Sequence, residues 1–388
     1  MIYFDQAASS FPKPKAVAEA MVYAVNSVAA NPGRSGHALA RQASKIITST
    51  RVKTAELFGC SNPKQVLFYQ NATVGLNQAI KGLTWHKGDH VIASAYEHNS
   101  IRRPLEHIKN KHGVEVTYID TPEEAGEESF ISAVNAAIKD NTRLIALTHA
   151  SNVTGRIFPI DDVITIAKKN KIYTLIDASQ TAGHIQIDMK KQGIDMLVFP
   201  GHKGIMGPQG MGVLLVEGSI GLVPIHHGGT GSFSSSPNQP DSWPELLESG
   251  TLNTPGIAGF HAALSEYENR KHEIVPRETI LANRLVEALE KIDGVICYGP
   301  NSNSFRMPIA AFNIAGIPSQ EVSMVLDSHY NIAVRAGLHC SPLTHESLHT
   351  NKQGIVRASL GIYNTSDEID EFINAIKEIT AAYREVEL

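Results

Sequence analysis

Seven short apolar runs, each closed by turn residues, follow one another in the first part of the chain. They are "QVLFY" (65–69), "DHVIASA" (89–95), "VEVTYID" (114–120), "RLIALTHA" (143–150), "IYTLIDAS" (172–179), "DMLVFPG" (195–201) and "GVLLVE" (212–217). Most show little polar alternation, the pattern of strands covered on both faces. Segments with helical spacing lie between several of them, at 98–112, 129–139 and 160–170. Such alternation predicts an α/β fold, a mostly parallel sheet with helices on both sides. The rhythm breaks at "GSFSSSPNQPDSWPE" (231–245), whose Ser, Pro and Gly content predicts a mobile loop. Beyond "NTPGIAGF" a long helical pattern, about 256–291, leads to short strands near 308–315 and 331–335. "GIVRASLG" (354–361) and a terminal helix over 366–384 follow. The expected division is a large α/β domain at 15–255 and a smaller α+β domain at 256–388 that also takes in the N-terminal segment 1–14.

Composition narrows the classes of function. Of 388 residues, 42% are apolar and 19% charged, ordinary values for a globular protein with a large core. A net charge of −5 without any Lys/Arg-rich run argues against nucleic-acid binding. No apolar stretch is long enough to span a bilayer, and "MIYFDQAASS" lacks the features of a signal peptide. Cys60, Cys297 and Cys340 are an odd number in a long chain, which suits a reducing compartment better than a disulfide framework. A cytoplasmic location is expected.

The candidate chemistry centres on "FPGHKGIMGPQG" (199–210), which places Lys203 in a tight turn after an apolar run. Its glycine spacing does not match a nucleotide-binding P-loop. A desolvated lysine can instead condense with an aldehyde cofactor, and close glycines let the backbone approach such a ligand. A lone lysine in such a turn is more often structural, so other residues must decide. Asp177, at the end of "LIDAS", stands where doubly wound sheets place their ligands and could keep a pyridine nitrogen protonated. "QNATVGLNQ" (70–78) supplies a helix start after a strand, with N–H groups near Ala72 and Thr73 for a phosphate. "YEHNSI" (96–101) puts His98 at another helix start.

In combination these blocks resemble the class V aminotransferases among the pyridoxal-phosphate enzymes, and within them the cysteine desulfurases, in the same order along nearly the whole chain. The resemblance implies fold type I, with a seven-stranded, mostly parallel sheet and a smaller C-terminal α+β domain. It implies pyridoxal 5′-phosphate as cofactor, with Lys203 of "GHK" attached to it and His202 reaching its phosphate. "DASQ" resembles the family's D-x-x-Q, which pairs Asp177 with the ring nitrogen and Gln180 with the ring hydroxyl. "HASNVTG" likewise makes Asn152 a ring-hydroxyl and substrate contact, and Glu97-His98 places His98 over the ring for proton transfer. "GTLNT" matches the block whose threonine, here Thr251, reaches the phosphate across a homodimer interface. Where many relatives have a serine before "GHK", this chain has Pro200, which cannot donate; His202, Thr73 and Thr251 then carry more of the anion binding.

Two further blocks concern the reaction. "VRAGLHCSPL" (334–343) resembles the active-cysteine segment of the desulfurases, and "VRASLGIYNT" (356–365) the segment whose arginine holds the substrate carboxylate. The resemblance implies conversion of L-cysteine to L-alanine, with a persulfide on Cys340, Arg357 as carboxylate clamp, and an acceptor protein for the sulfur, as in Fe–S cluster assembly. Cys340 lies 17 residues before Arg357, a short tether that fits the group II desulfurases. His339 or Arg335 is expected to supply positive charge to the thiol. Selenocysteine lyase, or another class V aminotransferase or lyase, is the alternative on the same scaffold. Cys340, His345 and His349 also have a C-x4-H-x3-H spacing that zinc could use, but no C-x-x-C pair accompanies it and no metal is expected.

Overall fold

All seven apolar runs form strands of one sheet in the computed structural model, which describes residues 1–33 and 36–386. The helices and strands begin with β1 (Ile2–Tyr3), α1 (Lys15–Ser27), α2 (Ala38–Phe58), β2 (Val66–Tyr69), α3 (Ala72–Lys81) and β3 (His90–Ser94). Next come α4 (Asn99–His112), β4 (Glu115–Ile119), α5 (Gly126–Ala136), β5 (Thr142–Thr148), α6 (Ile160–Lys169), β6 (Tyr173–Asp177) and α7 (Met189–Gln192). Then follow β7 (Met196–Pro200), β8 (Gly212–Val216), α8 (Thr254–Glu290), β9 (Val295–Tyr298), β10 (Ile309–Ile314) and α9 (Ser319–Tyr330). The chain ends with β11 (Ile332–Ala333), β12 (Arg335–Gly337), α10 (Pro342–Ser347), β13 (Ile355–Ser359) and α11 (Ser366–Val386).

The large sheet has the order β2-β8-β7-β6-β5-β3-β4. Its pairs are parallel except at β8, which runs antiparallel to both neighbours. Strands β3, β7 and β8 are buried along their whole length, because apolar clusters cover both faces of the sheet. Each Val, Leu or Ile buried there contributes about 1.5–3 kcal/mol. Helix boundaries follow local chemistry. The His98 ring caps the start of α4 and Gly113, in the left-handed region, ends it. Acidic residues open α6 and lysines close it, as the helix dipole favours.

A second, four-stranded antiparallel sheet, β12-β13-β10-β9, packs against α9 and α11 around its own core. Helix α8 joins the two cores: Ile257, Phe260 and Leu264 pack in the first, and Leu281, Leu285 and Leu289 in the second. The single strand expected near 331–335 is two. β11 pairs with β1, and after Val334 the chain turns so that β12 pairs with β13. Local propensity cannot reveal that exchange of partners, since both pieces are equally extended. Helices α1, α2 and α9 were not expected, and residues 217–253 contain no helix or strand. Among the described residues, no helix is long and apolar enough to cross a membrane.

Candidate active site

Strands β2, β3, β5, β6 and β7 end on the same edge of the sheet, and the segments after them meet in one pocket of about 600 Å³ of empty space. That is the position expected of a ligand site in such a sheet. Ala72, Thr73, His98, Asn152, Asp177, Gln180, His202 and Lys203, all singled out from the sequence, line it together with Pro200.

Each position has a local cause. At the start of α3, the Asn71 side chain accepts the N–H of Val74. The first N–H groups of a helix have no partner within it, so those of Ala72 and Thr73 remain for a ligand. Glu97, fully buried, accepts from the N–H and hydroxyl of Ser94 and from the N–H of Thr148, and so ties the ends of β3 and β5 together beside His98. Burial pushes its pKa up to about 8. The turn after β7 is tight because Gly183 and Gly204 stack backbone on backbone; a Cβ on Gly183 would overlap the Gly204 carbonyl, and Gly183 has φ +95°. The His202 carbonyl is held from the N-terminal segment by the Ser10 N–H (2.9 Å) and hydroxyl (3.1 Å) and by Lys13 Nζ (2.8 Å).

Electrostatics separates the groups. Desolvation pushes Lys203 down to about 8, with the Arg357 and Arg335 charges acting the same way and Asp177 opposing them. Burial raises the pKa of Asp177, whose carboxylate accepts the Ser179 N–H at 2.9 Å. Burial and the neighbouring Lys203 charge hold His98 down at about 4. Its Nδ1 accepts the Ser100 N–H at 3.1 Å, which assigns the ring proton to Nε2. A neutral His98 with its proton on Nε2 is a proton donor, one of the two directions of the proton transfer expected of it. His202 is likewise neutral, lowered to about 4 by burial, and its buried Nδ1 has no protein partner.

The two residues expected to choose the reaction come from the second sheet. Arg357 on β13 is buried; it donates to the Asn152 carbonyl (2.8 Å) and pairs with Asp5 (2.9 Å), while its Nε is unpartnered. Sequence reasoning missed Asp5, for which "YFDQAA" carries no periodic or motif signal. Cys340 is exposed, and Arg335 donates toward its Sγ at 3.9 Å. His339 supplies no charge: it is buried, its Nε2 bonds the Ile355 carbonyl, and burial holds its pKa down at about 2. Asn152 does more than expected, because its amide bonds both neighbours of Cys340: it donates to the His339 carbonyl (2.8 Å) and accepts from the Ser341 hydroxyl (2.7 Å).

Two groups of residues discussed from the sequence lie apart from this pocket within one chain. Thr251 is exposed and lines other surface pockets, with Gly210, Leu252 and Asn253 in one and Arg51 and Glu248 in the other. The Cys340–His345–His349 spacing does not converge: His345 is buried with Nδ1 on the Thr350 hydroxyl (2.8 Å), and among the described residues no such trio is arranged around a metal ion.

The chain is similar to known proteins along nearly its whole length. The aminotransferase class-V family model matches residues 2–372. A probable cysteine desulfurase of Methanothermobacter thermautotrophicus is 32% identical over 97% of this chain and 94% of its own length. A cysteine desulfurase of Yersinia pestis is 30% identical over 98% and 93%. Among solved structures, the apo cysteine desulfurase of Thermococcus onnurineus superposes with a TM-score of 0.90 at 30% identity, covering 98% of this chain and 95% of that one. The Escherichia coli cysteine desulfurase CsdA, in an S-sulfonic acid form, gives 0.84 at 28% identity, covering 97% and 94%. With the lysine, carboxylate and helix start gathered on one sheet edge and the match running through both cores, this chain belongs to the class-V aminotransferase family.

Proposed function

We propose that this protein is a pyridoxal-5′-phosphate-dependent cysteine desulfurase that converts L-cysteine to L-alanine and keeps the sulfur as a persulfide on Cys340. One observation supports this above all: an exposed cysteine beside a guanidinium sits on a turn bonded directly to a residue of the lysine–carboxylate pocket. A transaminase needs the pocket but has no use for that cysteine.

The residues present fit the cofactor. The unpartnered His202 Nδ1 and the N–H groups of Ala72 and Thr73 suit a phosphate, and Thr251 of a second copy would complete that site in a two-fold dimer. Asp177, buried and short of positive partners, suits a protonated ring nitrogen; Gln180 and Asn152 suit the ring hydroxyl, and His98 the ring face. Lys203 provides the covalent attachment. When bound there, pyridoxal phosphate supplies an electron sink.

The chain's own groups do the rest. Arg357, through its free Nε and in competition with Asp5, holds the substrate carboxylate. Lys203 Nζ, neutral in useful amount because of desolvation, takes the Cα proton. His98 Nε2 is placed to donate a proton. The Cys340 thiolate attacks the substrate sulfur; the S–S bond forms as the C–S bond breaks, a proton goes to Cβ, and Lys203 returns a proton to Cα to complete alanine. An acceptor protein then takes the sulfur. Replacing Cys340 with Ser should cut release of sulfide and alanine by on the order of a hundredfold or more, with the bound cofactor's visible absorbance retained. Full activity in that variant removes Cys340 from the reaction, and keto-acid formation in place of sulfide would make the protein a transaminase.

A further inference from the structure

The turn carrying Cys340 is built in an uncommon way. His339 and Cys340 are consecutive non-glycine residues with φ of +47° and +59°. Side-chain-bearing residues adopt that region only where their surroundings impose it. The Ser341 N–H closes the turn on the Leu338 carbonyl (2.9 Å), and three further hydrogen bonds hold it in place. The His339 carbonyl accepts from the Asn152 amide, and the Cys340 carbonyl accepts from the N–H of Asn99 (2.8 Å), the first residue of α4. The third is the Ser341 hydroxyl, which donates to Asn152 Oδ1.

We propose that Ser341 is a positioning residue for Cys340, acting through the Asn152 amide to hold the sulfur beside Arg335. Ser341 is fully buried, so its hydroxyl has no solvent alternative. The His339 carbonyl, which can only accept, sets which end of the amide faces it, and the Ser341 hydroxyl anchors the other end. With both ends held, the peptides on both sides of Cys340 are fixed. Removing the hydroxyl leaves a buried acceptor without its donor, which favours rotation of the amide and release of the turn. The carboxylate clamp survives such a change, because Arg357 bonds the main-chain carbonyl of Asn152 and not its side chain. Binding of the substrate carboxylate is thus spared.

This inference rests on Cys340 being the sulfur acceptor, and its test carries a readout that needs no turnover. In the holoenzyme, Ser341→Ala should lower kcat by about tenfold while KM for cysteine stays within about twofold. The cofactor should still attach at Lys203 and give a visible band, and alkylation of Cys340 by iodoacetamide, followed by peptide mass, should slow by about threefold or more as the thiol leaves its guanidinium. Ser341→Thr, which keeps the hydroxyl, should restore most of kcat. Wild-type kcat and alkylation in Ser341→Ala would overturn the proposal, as would equal losses in Ala and Thr variants. If Ser341→Ala does not fold, Asn152→Asp keeps the acceptor but loses the donor to His339; it should show the same slowed alkylation, and an unchanged rate would overturn the idea. Wild-type protein that releases no sulfide would sink the desulfurase reading alone, since the alkylation comparison still decides the positioning role.

Discussion

At Lys203 desolvation brings the amine's pKa to about 8, so about a tenth of it is neutral at pH 7, against well under a thousandth for an ordinary lysine. The neutral amine is the form that condenses with an aldehyde. Uptake of pyridoxal phosphate by cofactor-free protein should therefore quicken as pH rises through about 8 and level off above it, read as growth of the visible band. A rate still climbing steeply past pH 10 would show an unperturbed lysine. Borohydride followed by peptide mapping should find the adduct at residue 203. The three cysteines illustrate the same control by surroundings. Burial pushes Cys60 up to about 11 and Cys297 to about 12, whereas Cys340 alone is exposed, with Arg335 beside it. All three look alike as letters, and turn residues flank Cys60 (Gly59, Ser61, Asn62, Pro63) as well as Cys340, so burial alone separates them.

The start of α3 is the element on which phosphate binding depends, and β8 presses directly against it. A Cβ on Gly212 would overlap the Asn71 carbonyl carbon and the Ala72 nitrogen, both backbone atoms that have nowhere to go. Gly212→Ala should therefore cost about 1–3 kcal/mol in denaturant unfolding. It should also weaken pyridoxal-phosphate affinity by about tenfold, because the N–H groups of Ala72 and Thr73 move with the helix. Unchanged affinity in a destabilised variant would mean that the helix start does not hold the anion. Nothing around Gly212 in sequence announces this: "GVLLVE" reads as a strand that happens to begin with glycine. The contact exists only because the antiparallel pairing of β2 with β8 sets Tyr69 opposite Gly212.

Across the whole molecule, three ties join the second sheet and the N-terminal segment to the pocket. Arg357 reaches Asp5 and Asn152; Lys13 and Ser10 hold the His202 carbonyl; and on α8 Glu278 pairs at 2.6 Å with the half-buried His184, which packs against Gly204 next to Lys203. Thr251 remains outside this set within one chain. If a second copy brings it to the phosphate, two defective variants can rescue each other. Lys203→Ala and Thr251→Asp, each inactive alone, should after mixed refolding regain about a quarter of wild-type sulfide release, since statistical dimers are half mixed and each mixed dimer holds one intact site. No recovery, with mixed dimers confirmed by mass, would place Thr251 outside the partner's site.

The sequence by itself determined the seven strands of the large sheet, the long helix and the pocket-lining residues. The reason is physical: a strand buried on both faces must be apolar throughout, and a ligand site at strand ends must follow those runs directly, so Asp177, Asn152 and Lys203 stand beside their own strands. The tertiary structure alone decided what joins across the chain. Asp5 finds Arg357, Asn152 turns its amide to the cysteine turn, the segment near 331–335 divides between two sheets, and His339 is buried and loses its charge. Those outcomes depend on desolvation and on partners hundreds of residues apart, and neither quantity is written in any local pattern of hydrophobic and polar positions.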